Sequence, residues 1–222
     1  MESETYLTDV AADGITKMKY GESSDNLLVT SWDATCMLYD GYSNALKQKI
    51  QTKAAVLAAD FNPDETGAYI GGLEQKVIKV DFETEDEIEL GHHDAPIRCV
   101  EYDHYSKCLY TGSWDKSFKI WDERSSNKET VREVHDKVYA LSTCRNKVIV
   151  GMANNKVVVY DTRSSRDLEY EGDTSLGVYQ IRCIQSMPSG VGYAAGSTEG
   201  RIAIEYFPDT KPQDASNFSY KC

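Results

Sequence analysis

A twelve-residue phrase, Thr111-Gly-Ser-Trp-Asp-Lys-Ser-Phe-Lys-Ile-Trp-Asp122, returns in weakened copies along this 222-residue chain. Aligned on its second residue, the copies begin at Thr30, Gly71, Gly112, Gly151 and Gly196, which stand 41, 41, 39 and 45 residues apart. A period near forty restricts the chain to architectures in which each unit is one small supersecondary element that buries its apolar side against its neighbours. Function is then expected on surfaces that several units build together, and not in a single catalytic cleft.

Every copy is preceded by a strand-like run: Gly14 to Tyr20, Val56 to Phe61, Ile97 to Tyr102, Val138 to Leu141 and Tyr179 to Ile184. A second short run follows, such as Cys108-Leu-Tyr110 or Val148-Ile-Val150, and the phrase itself reads as a polar turn between a third and a fourth strand. No long helical periodicity intervenes. Four short antiparallel strands per unit, closing on Trp-Asp or Tyr-Asp, match the blade of a WD-type β-propeller. The expected fold is all-β, a WD40-type β-propeller with blades at about 13–40, 55–82, 93–122, 135–161 and 178–207. Residues 1–12 are expected as an N-terminal strand segment and 208–222 as a truncated lead into a further blade. The connections repeat as well, since Arg124-Ser-Ser126 and Arg163-Ser-Ser165 stand 39 residues apart. The acidic run Glu83 to Glu89 reads as a solvated turn between blades, with an acidic docking patch as the alternative.

Charge narrows the function classes. Lys and Arg total 24 against 36 Asp and Glu, a formal charge of −12. Phosphate backbones are held by clustered cations, so direct nucleic-acid binding is not expected. The first ten residues lack the basic start and apolar core of a signal peptide, and no stretch reaches the roughly 18 apolar residues of a membrane span. The expectation is a soluble nuclear or cytoplasmic chain without membrane contact. Six cysteines show no C-x-x-C spacing and mostly sit in apolar runs, which suits reduced packing thiols; a disulfide framework or zinc site is the alternative.

His93, Ser113 and Asp115 invite comparison with a Ser-His-Asp triad. In a WD blade, a histidine before the first strand, a hydroxyl in the second, the turn aspartate and the closing tryptophan, here Trp121, form a structural hydrogen-bond network that satisfies buried polar groups. The turn acid is graded along the chain as Asp33, Glu74, Asp115, Asn154 and Glu199, as suits packing rather than catalysis. His92-His93-Asp94 points neighbouring side chains in opposite directions on extended backbone, and no phosphate-cradling motif is present. No catalytic residue, metal or cofactor is expected.

Several phrases resemble a narrower family. Leu27 to Asp33, Gly71-Gly-Leu73, His93 to Tyr102, Thr111 to Asp115, Lys137 to Leu141 and Glu199 to Tyr206 are similar, in order, to the spindle-assembly-checkpoint WD-repeat family Bub-three. A sister family, the nuclear-pore messenger-RNA export factors, shares the third and fifth phrases and fits less well in the first, second and fourth. The resemblance implies a non-catalytic adaptor, nuclear and cytoplasmic and at the kinetochore in mitosis. Its partners would be checkpoint kinases and a related pseudokinase, through a short peptide on the top face, and a threonine-phosphorylated kinetochore scaffold.

Carried over residue by residue, Trp32 and Trp114 match tryptophans that pack on the kinase-derived peptide, with blade packing as the alternative. Tryptophan occupies that turn position in two units, where the others have Leu73, Ala153 and Thr198. Arg182 and Arg201 match arginines that read phosphothreonine, a group of roughly −1.5 to −2 charges that a guanidinium grips through two oxygens. Arg98 stands where Arg182 does in its own unit, so a generic lining role is the alternative. The family closes seven blades and five are visible, so the expectation is a fragment of the wider ring.

Overall fold

The structure, a computed structural model, describes residues 6–126, 128–163 and 168–222. The described residues form five four-stranded antiparallel sheets, each with its strands in chain order. The first contains β1 (Ile15–Tyr20), β2 (Asn26–Ser31), β3 (Thr35–Asp40) and β4 (Leu46–Gln51). The second contains β5 (Val56–Phe61), β6 (Gly67–Gly72), β7 (Lys76–Asp81) and β8 (Glu87–His92). The third contains β9 (Ile97–Asp103), β10 (Cys108–Ser113), β11 (Ser117–Trp121) and β12 (Glu129–Glu133). The fourth contains β13 (Val138–Cys144), β14 (Lys147–Met152), β15 (Lys156–Asp161) and β16 (Leu168–Asp173). The fifth contains β17 (Ile181–Ser186), β18 (Gly192–Ser197), β19 (Arg201–Tyr206) and β20 (Phe218–Lys221).

The inner strands follow from composition. Runs such as Val157-Val-Val-Tyr160 and Val148-Ile-Val150 carry branched and aromatic side chains that fill a pleated surface, and all six residues of β5, β6, β10 and β14 are buried. Fourth strands are different: Leu46–Gln51 and Glu129–Glu133 are largely polar, and of their residues only Ile50 is buried. Charged residues on such strands keep the sheet edge from pairing with other chains.

Two compact units divide the chain, residues up to Tyr102 and residues from Asp103 onward. In the first unit a core of Leu28, Cys36, Leu38 and Ile50 meets Val56, Ala59, Ala68, Ile70 and Val80 of the second sheet. In the second unit Ile149, Val157 and Val159 meet Ile181, Ile184, Tyr193, Ala195 and Ala203 of the fifth sheet. Each fully buried aliphatic side chain of this kind adds about 1.5–3 kcal/mol. At Gly71 and Gly151 a side chain of the next sheet packs directly on the glycine. A Cβ on Gly71 would lie 2.7 Å from Ile97 Cγ2, and one on Gly151 would lie 2.6 Å from Ile184 Cδ1.

The sheets depart from the sequence reading in consistent ways. The polar turn of each phrase joins the second and third strands, not the third and fourth. The fourth strand lies beyond the closing aspartate, where its polar residues resemble a loop, so the sheets run past the windows read from sequence. Part of the acidic run at 83–89 is thus strand β8, which starts at Glu87. Phe218–Lys221, which the sequence reading placed in a lead into a further blade, pairs with β19 as the fourth strand of the fifth sheet. Residues 6–12 form no strand. They fold onto the first sheet, with Leu7 and Ala11 against Leu27, Val29, Met37 and Tyr39, and Tyr39 Oη donating to Asp9 O at 3.1 Å. The remainder of the expected N-terminal strand, residues 1–5, lies outside the described residues, as do Ser164 and Ser165 of the second Arg-Ser-Ser copy.

Candidate functional site

The loops between second and third strands are built alike. Each has three residues, the third in the left-handed region: Ala34 (φ 65°), Gln75 (67°), Lys116 (67°), Asn155 (66°) and Gly200 (74°). A type I turn followed by one left-handed residue is a common three-residue hairpin, and its right-handed twist matches the flanking strands. The middle residue of the loop is the graded acid. In the first sheet Asp33 Oδ1 accepts from Thr35 N at 3.0 Å and Thr35 Oγ1 at 2.5 Å, and Oδ2 accepts from Ala12 N at 2.7 Å. Burial works against this carboxylate, and the hydrogen bonds outweigh it, holding its pKa below the ordinary value. In the third sheet Asp115 repeats the arrangement, accepting from Ser117 N at 2.9 Å and Ser117 Oγ at 2.6 Å. Asn154 Oδ1 accepts Lys156 N at 3.1 Å in the fourth.

This geometry locates the residues expected to hold the blade. Ser113 is buried at the end of β10, and its Oγ accepts Asp115 N at 3.1 Å. His93 is buried in the first unit, and its backbone N–H donates to Gln75 O at 2.8 Å. Trp121 is buried in β11 and donates through Nε1 to Thr111 Oγ1 at 2.9 Å. Thr111 was missed from the sequence, although it stands opposite Lys119, two residues from Trp121, in the paired register.

The closing aspartates have a second recurrent task. Asp40 accepts from Tyr42 N and Ser43 N, and Asp81 from Glu83 N and Thr84 N, in each case bracing the next hairpin. In the third and fourth sheets an arginine two residues on takes over. Arg124 Nε and Nη2 donate to Asp122 at 2.8 and 3.1 Å, and Arg163 Nη2 donates to Asp161 at 2.5 Å. The Arg163 guanidinium holds the Asp161 carboxyl far below the usual range. The Arg-Ser-Ser recurrence thus starts with an arginine that closes a turn.

The four expected binding residues fall in different settings. Trp32, first in its loop, is 48 % exposed and lies beside Gly14, to whose carbonyl its backbone N–H donates at 3.0 Å. Trp114 occupies the same loop position in the third sheet and is half-buried. Its indole Nε1 is enclosed and has no hydrogen-bond acceptor among the described residues. An enclosed donor without an acceptor costs about 1–3 kcal/mol. Arg182 is exposed on β17, and its side chain makes no hydrogen bond or ion pair among the described residues. Its counterpart Arg98 instead donates to Leu57 O at 3.3 Å. Arg201 is committed: Nε lies 3.3 Å from Glu199 Oε2, and the guanidinium stacks 5.2 Å from the Tyr179 ring. Lys221 Nζ also approaches Glu199, at 3.8 Å. Burial opposes ionisation of Glu199, while the Tyr179 and Arg201 hydrogen bonds and the Lys221 charge prevail and lower its pKa.

Comparison with known proteins agrees with this repeat geometry. The family model described as WD domain, G-beta repeat matches residues 85–122. The mitotic checkpoint protein BUB3.1 of Arabidopsis thaliana is 36 % identical over 97 % of this chain and 64 % of its own length. The mitotic checkpoint protein bub3 of Dictyostelium discoideum is 34 % identical over 95 % of this chain and 64 % of its own length. The mRNA export factor GLE2 of Chaetomium thermophilum is 29 % identical over 100 % of this chain and 64 % of its own length. The chain thus spans less than two thirds of these relatives. Its five four-stranded sheets and their shared loops are those of WD-repeat blades, and over nearly its whole length the chain is similar to the Bub3 mitotic checkpoint proteins.

Proposed function

We propose that the chain acts as a mitotic-checkpoint adaptor that binds an extended peptide of a checkpoint kinase at Trp114. WD-repeat proteins of this kind typically serve as non-catalytic scaffolds, and the proposed role needs no reaction. Trp114 carries the reading. A large rigid ring, held in a turn that Asp115 braces and only half-buried, offers a flat apolar surface on which an extended peptide can pack. Trp32 offers a second anchor of the same kind in its own unit.

A threonine-phosphorylated kinetochore scaffold segment is the second proposed ligand. Arg182 is its principal contact in this reading, because its guanidinium is unspent whereas that of Arg201 is held by Glu199 and Tyr179. In this reading the protein acts in the nucleus and, in mitosis, at the kinetochore.

Calorimetry with a checkpoint-kinase peptide tests the first part. Trp114→Ala is expected to weaken binding about 5-fold or more, equivalent to about 1 kcal/mol; equal affinity removes Trp114 from the site. Arg182→Ala is expected to abolish the preference for a phosphorylated over an unphosphorylated threonine peptide. A nuclear-pore peptide serves as comparison, given the likeness to GLE2; its selective retention would favour an export role.

A further inference from the structure

The fourth and fifth units depart from the repeat at one place. The second strand opens on Asn26, Gly67, Cys108 and Gly192 in four sheets, but on Lys147 in the fourth. The closing aspartates Asp40, Asp81, Asp122 and Asp161 give way to Tyr206 in the fifth unit. The connection that follows is long, spanning residues 207–217 where the first three sheets use 41–45, 82–86 and 122–128. It begins Phe207-Pro-Asp-Thr210 and is fastened by Phe207 N–H donating to Val191 O at 2.9 Å and Thr210 N–H to Phe207 O at 3.2 Å.

Both departures meet at a cavity of about 320 Å³ inside the second unit, lined by Val159, Glu169, Tyr170, Phe207, Pro208 and Asp209. Lys147 holds its two acids. The side chain is 8 % exposed, and Nζ donates to Glu169 Oε2 and, at 3.3 Å, to Asp209 Oδ2, while lying 5.1 Å from the Phe207 ring centroid. Burial opposes the ammonium charge, and the two carboxylates more than offset it, raising its pKa. A buried ammonium is costly unless paired, so this one is a fixed support for both acids.

That support leaves each acid half used. Glu169 Oε1 and Asp209 Oδ1 have no hydrogen-bond partner among the described residues, and the Asp209 side chain is 61 % exposed. Arg163 also feels the Glu169 charge but is bonded to Asp161. Two carboxylates against one ammonium leave negative charge in a recess whose other walls are apolar or aromatic, which repels an anion. A guanidinium suits it, because five N–H donors in a planar fork can reach two acceptors while the flat face rests on a ring.

We propose that this cavity receives an arginine side chain of a partner peptide, with the guanidinium donating to Glu169 Oε1 and Asp209 Oδ1 and the stem against Pro208. The inference rests on the cavity and is independent of the checkpoint reading.

NMR titration of the 222-residue chain with N-acetyl-arginine methylamide tests it, at about 0.15 M salt so that diffuse attraction to the acidic chain is screened. The backbone amides of Glu169, Tyr170, Asp209 and Thr210 are expected to shift and to saturate. The citrulline analogue, of the same shape without the charge, is expected to bind about 10-fold more weakly. The lysine analogue, a point charge without the fork, is also expected to bind more weakly than arginine. Asp209→Asn is expected to weaken arginine binding about 5-fold, whereas Glu87→Gln, an equal loss of charge on the exposed β8, is expected to leave it unchanged. Thermal unfolding checks the fold of each variant, and the analogue series on the wild-type chain decides the matter even if one does not fold. Shifts that never saturate, a citrulline or lysine analogue that binds as tightly as arginine, or a folded Asp209→Asn chain that binds as wild type does would overturn the proposal.

Discussion

Left-handed backbone at the third position of the repeated loop is held by Ala34, Gln75, Lys116 and Asn155, and by glycine only at Gly200. Any residue with a Cβ is disfavoured there by about 1–2 kcal/mol, and Asn155 least among the four because its short amide tolerates the region. Lys116 is exposed, and its carbonyl accepts the Val134 N–H at 2.8 Å, a bond that does not involve the side chain. Lys116→Gly is therefore expected to stabilise the chain by about 0.5–1 kcal/mol, after the greater entropy of the unfolded glycine is counted. Gly200→Ala is expected to cost a similar amount. Urea unfolding midpoints read both, and an unchanged midpoint for Lys116→Gly would show that the loop relaxes without strain.

Between elements, buried polar groups on the first strands tie one sheet to the next. Asp60 of β5 accepts from Phe61 N at 2.9 Å and Tyr102 N at 3.0 Å, and lies 3.4 Å from Lys19 Nζ of β1. Burial is the largest influence on its carboxyl and raises its pKa above the ordinary value, although Lys19 and the two N–H donors oppose it. Lys19 is also shifted up: partial burial disfavours its charge, and Asp60 and Glu101 more than compensate. For Asp60 the folded pKa exceeds the unfolded one, so the fold favours the protonated acid. Its stabilising contribution is present at low pH and is lost as pH rises through the folded pKa. Asp60→Asn, which keeps the shape without the charge, is expected to gain stability relative to wild type as pH goes from about 4 to about 7. Urea midpoints across that range measure it, and a difference that shrinks with pH would mean that the Lys19 pair dominates.

For the molecule as a whole, a formal charge of −12 produces a field that attracts basic ligands and repels polyanions. Association of a basic kinase-derived peptide is expected to slow about 10-fold or more between roughly 50 and 500 mM salt, as screening shortens the Debye length below 5 Å. Stopped-flow rates across that range check this. A salt-independent rate would confine recognition to the local contacts at Trp114.

The chain's own residues determined the number of units, the position of their polar loops and the all-β class, because these follow from periodicity and from side chains that fill a pleated surface. The fourth strands were not legible: Glu129–Glu133 and Leu168–Asp173 pair along a sheet edge through backbone bonds that polar, loop-like side chains do not announce. Phe218–Lys221 escaped for the same reason, being four residues set apart from the rest of its sheet. Tertiary structure alone decided the state of the candidate site. Among the described residues the Trp114 indole N–H has no acceptor, Arg201 is held by Glu199 and Tyr179 while Arg182 is not, and Met18 is exposed where Ala59, Val100, Leu141 and Ile184 are buried. Sequence fixes which groups a strand presents, but burial and hydrogen-bond partners depend on which sheet, some forty residues away, the register brings against it.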